Sequence, residues 1–254
     1  MILDSFRLDG KVALVTGAHR GLGQGAALAL AEAGADVALL ERSRSEETIA
    51  AIEALGRRVH VVTQDLLTAT PEDLAAAVAS VVEHLGRLDV LVNNAGTIRR
   101  APVLEHSARD WDEVLAVNLD AVFHLSQAAG RVFVAQGSGK IINVASMLSF
   151  QGGILVPGYA ASKHAVAGLT KAFANELAAH GVNTNAIAPG YMATDNTAPI
   201  RADAARERSI VERIPAARWG RPSDLQGAVV FLASPASDYV NGAIIPVDGG
   251  WLVR

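Results

Sequence analysis

The feature that most restricts the fold is an alternation of short β-rich runs with longer Ala- and Leu-rich segments along all 254 residues. The sequence reads as strand at Val12–Thr16, Asp36–Leu40, Val59–Thr63, Asp89–Val92, Lys140–Val144, Val182–Ile187 and Ala243–Val247. Several of these are near-continuous apolar runs, the pattern of parallel strands covered on both faces. Between them it reads as helix at Leu22–Ala33, Glu46–Leu55, Pro71–Leu85, Asp110–Gln136, Tyr159–His180 and Pro222–Leu232. Such alternation calls for right-handed crossovers. It therefore implies an α/β, Rossmann-like, doubly wound sheet of seven parallel strands with helices on both faces. No Ser/Gly/Pro linker, repeat or low-complexity tract divides residues 1–254, so a single domain is expected.

Composition narrows the function classes. Hydrophobic residues make up 50% of the chain and charged residues 19%, enough to bury a core and too apolar for intrinsic disorder. No apolar run approaches the roughly 18 residues of a membrane span. The stretch Met1–Lys11 carries Asp4 and Asp9 and no apolar core of a secretory signal. The absence of cysteine excludes disulfides, thiolate zinc sites and cysteine nucleophiles, and fits a cytoplasmic location. A net charge of −4 argues against nucleic acid as the main partner. The seven histidines are dispersed without a His-x-x-x-His pair, so no catalytic metal is expected. Two segments, Asp110–Gln136 and Tyr159–His180, are apolar around most of their circumference, through Ala121, Val122, Ala128, Ala129, Ala165, Val166, Ala172 and Phe173. That pattern predicts a second buried face, against a partner subunit or under other parts of the chain.

Thr16-Gly17-Ala18-His19-Arg20-Gly21-Leu22-Gly23 lies where the first strand gives way to the first helix. Glycines there permit a tight turn and bring backbone amides and a helix N-terminus toward a diphosphate. Gly17, Arg20, Gly21, Leu22 and Gly23 are expected to line that cradle; His19 either touches phosphate or points to solvent. Glu41, eighteen positions after Gly23, stands at the end of the second strand. A carboxylate there accepts hydrogen bonds from ribose hydroxyls and repels a 2′-phosphate, by about 4 kcal/mol at 4 Å and an effective dielectric near 20. Arg20 and Arg42 pull the other way, since a guanidinium pairs with a 2′-phosphate. The balance favours NAD over NADP. Asp65 and Leu66, after the third strand, either face the adenine or begin a loop.

Tyr159-Ala160-Ala161-Ser162-Lys163 opens a long helix, and a separation of four places Tyr159 and Lys163 on one face. A tyrosine titrates near 10, so proton transfer at neutral pH needs cationic charge nearby to favour the phenolate. A neighbouring ammonium and a nicotinamide ring would supply it, and Ser146, thirteen residues earlier, would hydrogen-bond the same substrate oxygen.

Taken together, Gly17, Gly21 and Gly23, then Asn93-Asn94-Ala95-Gly96, Asn118, Ser146, Tyr159-x-x-x-Lys163 and Pro189-Gly190 follow a familiar order and spacing. Over its whole length the sequence resembles the short-chain dehydrogenase/reductase family. The resemblance implies Tyr159 as acid/base, Ser146 as donor to the substrate oxygen, and Lys163 as ribose ligand and tyrosine modulator. It implies that Asn118 holds a water linking Lys163 to solvent, that Asn93 supports the central strand, and that Ala95 and Gly96 line the cofactor cleft. Pro189, Gly190, Met192 and Thr194 would lie beside the nicotinamide carboxamide, and a homotetramer is the implied assembly. The sequence departs from the pattern at Glu41, where NAD-using members mostly carry Asp, and at Arg20, where NADP users often place a basic residue.

Within the family, the runs Gly23-Gln24-Gly25, Asn94–Arg100, Ala145–Gly153, Ala188–Thr194, Ser237–Gly242 and Val247–Trp251 are similar to those of dehydrogenases acting on 2-deoxy- and 3-deoxy-gluconates. The resemblance implies a secondary alcohol and ketone interconverted on a deoxy sugar acid. Gluconate 5-dehydrogenase and 3-oxoacyl-carrier-protein reductase are alternatives within the family, and a non-catalytic dinucleotide-binding regulator is the alternative outside enzymology. A sugar acid needs a local cation. Arg99 and Arg100 follow the fourth strand, so either could clamp a carboxylate, or the pair could be a surface feature, with Glu105 as partner. Met147, Leu148, Phe150, Gln151, Tyr191 and Met192 are the expected pocket walls, within a substrate region spanning about 146–157 and 190–215.

Overall fold

The computed structural model describes every residue from Met1 to Arg254. Seven parallel strands form one sheet: β1 (Val12–Thr16), β2 (Asp36–Glu41), β3 (Val59–Thr63), β4 (Val90–Asn93), β5 (Gly139–Val144), β6 (Val182–Pro189) and β7 (Ile244–Val247). Their order is β3-β2-β1-β4-β5-β6-β7, so the topology reverses between β1 and β4. At such a switch point the loops leaving neighbouring strands diverge and open a crevice at their carboxyl ends.

Strand alternation assigns the two cores. In β1, Ala13 and Val15 face one side, where α1 (Gly21–Glu32), α2 (Glu46–Ala54) and α9 (Ser223–Ala233) contribute Leu30, Ile52 and Val229. Val12 and Leu14 face the other, against α3 (Pro71–Leu85) and α5 (Ala121–Gln136), with Val78, Val81, Leu125 and Phe133. All five residues of β1 are buried, which is why these strands read as unbroken apolar runs.

The helix expected over Asp110–Gln136 is interrupted. It begins as α4 (Ala108–Leu115), with Ser107 as its cap, passes through a π-helical turn at Ala116–Asp120, and continues as α5. The helix α6 (Pro157–Leu177) starts with proline in its first turn, where the missing N–H costs nothing, and tightens into a 3-10 turn at Ala178–His180. Two further short helices, α7 (Ala198–Arg201) and α8 (Ala204–Arg213), occupy the 190–215 segment, where sequence periodicity showed none. In α8 only Ile210 is buried, so no apolar stripe marks it. The helix is started instead by Asp203, whose carboxylate accepts from the amides of Ala205 and Arg206.

The second apolar face expected on α5 and α6 is partly covered within the chain. Ala121, Val122, Ala128, Ala129 and Val166 are buried, while Phe123, Leu169, Ala172 and Phe173 line an open groove between the two helices. No helix is long and apolar enough to cross a membrane.

Candidate active site

A cleft of about 670 Å³ opens at the switch point and runs from the glycine turn and the end of β2, past the loop after β4, to Tyr159 and Lys163. Gly17, His19, Arg20, Gly21, Leu22, Gly23, Glu41, Asp65, Leu66, Ala95, Gly96, Arg99, Arg100 and Thr194 also line it.

The glycine turn is shaped by two requirements. Gly17 adopts φ +67°, the left-handed region that a side chain resists. Gly23 has an ordinary backbone but no room: a Cβ there would lie 2.3 Å from both the Gly17 carbonyl oxygen and Asn94 Nδ2. Asn94 is the clamp that sequence reasoning passed over. Its Nδ2 donates to the carbonyls of Thr16 (2.9 Å) and Gly17 (3.2 Å), while its own N–H donates to Thr16 Oγ1 (3.0 Å). The turn is thus bolted to the β4 loop, leaving the N-terminus of α1 facing the cleft. A dinucleotide diphosphate fits such a cradle, because neither glycine presents a Cβ and the helix end supplies partial positive charge. Thr194 faces Gly21 across this gap, with its Cγ2 3.6 Å from where a Cβ would stand. Arg20 and Asp195 form an ion pair of 2.7 Å across the mouth. His19 is less basic than usual, chiefly through partial burial and then through Arg20.

Several expected site residues sit beneath the cleft rather than on its wall. Asn93 Nδ2 donates to Ser126 Oγ and Asn143 Oδ1, both at 2.9 Å, tying β4 to β5 and α5. Asn118, within the π-helical turn, is buried. Its Oδ1 accepts from the Thr97 N–H (2.8 Å), and its Nδ2 donates to the Thr97 carbonyl (3.0 Å) and Ser162 Oγ (3.2 Å). The side chain thereby joins the β4 loop to α6. Single π-turns inside α-helices are frequent at functional sites. Pro189 ends β6, and Gly190 follows so close to Asp248 that a Cβ would meet its Cα at 2.5 Å.

At the inner end, Ser146 precedes a 3-10 turn, Met147–Ser149, and its Oγ accepts from the Leu148 N–H at 3.1 Å. Ser149 Oγ donates to the Lys163 carbonyl at 2.7 Å, fastening this turn to α6. Tyr159 and Lys163 lie one helical turn apart. Lys163 Nζ donates to the Val144 carbonyl at 2.6 Å and stands 5.6 Å from the Tyr159 ring centroid. Burial lowers the Lys163 ammonium to about 8. Burial also raises the Tyr159 phenol above its ordinary value, while Ser146 and the positive charge of Arg100 pull it back down. Two positive charges therefore stand by the phenol: Lys163, 5.6 Å from its ring, and Arg100, which sequence reasoning had assigned to substrate alone.

The two arginines separate clearly. Arg99 is neutralised: Glu113 lies 2.7 Å from its Nη2 and Asp110 3.7 Å from its Nε, and Arg109 shares Glu113 at 2.8 Å. The expected partner Glu105 plays no part. Arg100 has no carboxylate partner and donates only to the Asn196 carbonyl at 3.3 Å. Of the expected pocket walls, Met192 is buried in the core and Met147 packs with Ile210, Ile214 and Trp251. Tyr191 stacks edge-on against Trp219 and Trp251, and Gln151 Oε1 accepts from Trp251 Nε1 at 2.9 Å. These four residues build the frame under the 190–215 segment. Leu155, before α6, adopts φ 66° and accepts from the Ala101 N–H, joining the two loops that flank Tyr159.

Residues 11–205 match the family model described as short chain dehydrogenase. The chain belongs to the short-chain dehydrogenase/reductase family and is an oxidoreductase of that family. It is 57% identical to the 2-dehydro-3-deoxy-D-gluconate 5-dehydrogenase of Escherichia coli strain K12, with all of both chains aligned. A crystal structure from Agrobacterium tumefaciens with bound NADP, described as a 2-deoxy-D-gluconate 3-dehydrogenase, is 54% identical with a TM-score of 0.92, covering 98% of this chain and 99% of that one. A gluconate 5-dehydrogenase from Burkholderia cenocepacia, in complex with NADP and tartrate, is 39% identical with a TM-score of 0.96 over the full length of both.

Proposed function

We propose that this protein is a nicotinamide-dependent dehydrogenase that interconverts a secondary alcohol and a ketone on a deoxy sugar acid. The substrate type is that of 2-dehydro-3-deoxy-D-gluconate 5-dehydrogenase or 2-deoxy-D-gluconate 3-dehydrogenase. The observation that carries this reading is Arg100, a guanidinium free of any carboxylate, at the cleft beside Tyr159. A neutral substrate leaves that charge without a counter-ion, whereas a carboxylate can take two parallel hydrogen bonds from it. The full-length similarity to sugar-acid dehydrogenases agrees with it.

A bound nicotinamide would accept or donate the hydride at carbon. The remaining work falls to the chain. Tyr159 Oη takes the hydroxyl proton during oxidation and returns it during reduction. Ser146 Oγ donates to the same substrate oxygen and orients it. Lys163 would hold the nicotinamide ribose and favour the phenolate, and Asn118 keeps the β4 loop and α6 in register around them. Gly17, Gly21, Gly23 and the start of α1 would receive the diphosphate, with Asp65 and Leu66 near the adenine and Pro189, Gly190 and Thr194 near the nicotinamide. Glu41 favours NAD. The NADP in solved relatives and the exposed, unpaired Arg42 favour NADP.

We further read residues 1–254 as one catalytic unit whose open α5–α6 groove is covered by another copy in a homotetramer, with Arg131 and Glu176 at its edges offering complementary charge. The deciding experiment follows reduced dinucleotide formation across 2-deoxy- and 3-deoxy-sugar acids, gluconate and neutral sugars, in wild type and Tyr159→Phe. Deoxy sugar acids should be preferred, and the variant should bind dinucleotide but not turn over. Preference for neutral sugars, or an active Tyr159→Phe enzyme, would overturn the reading.

A further inference from the structure

Glu41 ends β2 at the cleft, where a free carboxylate would capture the adenosine ribose hydroxyls and repel a 2′-phosphate. In the structure this carboxylate is already engaged. Its Oε1 accepts from the Ser45 N–H at 2.7 Å, and the Ser45 hydroxyl lies 3.0 Å from Oε1 and 2.9 Å from Oε2. Glu41 is only 3% exposed. Ser45 occupies the N-cap position of α2, where a serine hydroxyl ordinarily accepts from a first-turn amide. Here it makes no such capping bond and turns to Glu41 instead. The α2 start is anchored separately, by Thr48 Oγ1 donating to the Ala18 carbonyl at 3.1 Å and accepting from Gln24. Beside Glu41, Arg42 is exposed on the cleft wall and belongs to no ion pair, whereas Arg20 is held by Asp195 and Arg44 by Glu46.

We infer that Ser45 is a cofactor-specificity residue: by engaging the Glu41 carboxylate on the cleft wall, it weakens that group's hold on the NAD ribose and lets this pocket accept the 2′-phosphate of NADP beside Arg42. Two effects act in the same direction. To bind the ribose of NAD, Glu41 must share with the ribose hydroxyls the oxygens that already accept from Ser45. NADP asks for no such sharing, and Arg42 beside it offsets the repulsion between Glu41 and the 2′-phosphate. An acidic residue at the end of β2 is thereby compatible with NADP. Ser45 acts through Glu41 and is a positioning residue. The inference rests on the dinucleotide reading of the cleft given above.

The test is calorimetric titration of NAD⁺, NADP⁺ and 2′,5′-ADP into wild type, Ser45→Ala and Ser45→Thr, with no sugar acid present. Ser45→Ala keeps the backbone N–H bond to Glu41 and removes both hydroxyl contacts, which should raise the ratio of the NADP⁺ to the NAD⁺ dissociation constant by about tenfold, the value of one hydrogen bond to a charged group. Ser45→Thr keeps the hydroxyl and should keep the wild-type ratio. Adding Glu41→Gln to Ser45→Ala should restore NADP⁺ binding. An unchanged ratio in folded Ser45→Ala overturns the inference. If Ser45→Ala does not fold, Glu41→Gln alone decides: little change in NADP⁺ affinity supports it, and a gain of about tenfold or more refutes it. Failure of all three ligands to bind wild type would instead bring down the dinucleotide reading, and this inference with it.

Discussion

Replacing Gly23 with alanine isolates the geometry on which the cofactor cleft depends. The added Cβ would stand 2.3 Å from the Gly17 carbonyl oxygen, 2.9 Å from its carbon and 2.3 Å from Asn94 Nδ2. These atoms cannot yield cheaply. Two are backbone, and Asn94 is pinned by donating to that same backbone. Relief needs a movement of about 1 Å to reach normal contact distance. Overpacking of this size costs about 1–3 kcal/mol. In a domain this large each kcal/mol lowers the melting temperature by about 2–4 °C, so a fall of about 2–12 °C is expected. The same movement opens the diphosphate cradle, and a displacement of about 1 Å at a reacting geometry lowers kcat/KM by about a hundredfold. Thermal melting with NADP⁺ titration, followed by steady-state kinetics, reads all three effects. Gly227→Ala is the matched control: it lies within α9, has nothing within 4 Å of a new Cβ, and should be neutral or stabilising by up to about 1 kcal/mol. A Gly23→Ala protein that melts and binds dinucleotide like wild type would refute the reasoning.

Lys163 gives a pH signature in stability. Its folded-state value near 8 lies below the 10.5 of an exposed lysine, so between these limits the unfolded chain binds more protons and stability rises with pH. Lys163→Met should therefore gain stability over wild type below about pH 8 and lose that advantage toward pH 10.5, as measured by urea unfolding across this range. Arg100→Met should raise KM for the sugar acid and move the alkaline rise of the oxidation rate to higher pH, because the charge that lowers the Tyr159 phenol is gone. Arg99→Met should leave that rise in place while weakening the Glu113 network; equal pH shifts in both variants would contradict the separation of the two arginines. Asp195→Asn breaks an ion pair whose side chains are 61% and 69% exposed, so melting should change little, since such pairs contribute about 0–1 kcal/mol. A large loss of stability would show that the contact across the cleft mouth holds the fold together.

Local signals carried much of the architecture. Unbroken apolar runs marked the strands, because a parallel strand buried on both faces has no polar side to display. Pro71 at the start of α3 and Gly86 at its end set that helix to within a residue of what periodicity implies. The π-helical turn at Ala116–Asp120 was invisible, since it contains no Gly or Pro to break the helical pattern and answers to tertiary contacts of Asn118 with Thr97 and Ser162. α8 was missed because one buried residue leaves no period to read.

The sequence by itself determined which chemistry is present: a phenol and an ammonium one helical turn apart, a glycine turn ahead of a helix, two adjacent arginines and an acidic strand end. Spacing along a regular element is a local property, and it survives translation into three dimensions. Only the tertiary structure decided how the charges are used. Glu113, fourteen residues along the chain, silences Arg99; Arg100 is left without a carboxylate; and Ser45, across a tight turn, claims Glu41. Those outcomes depend on which donors and acceptors meet at hydrogen-bond distance, a matter of directions that residue order alone does not encode.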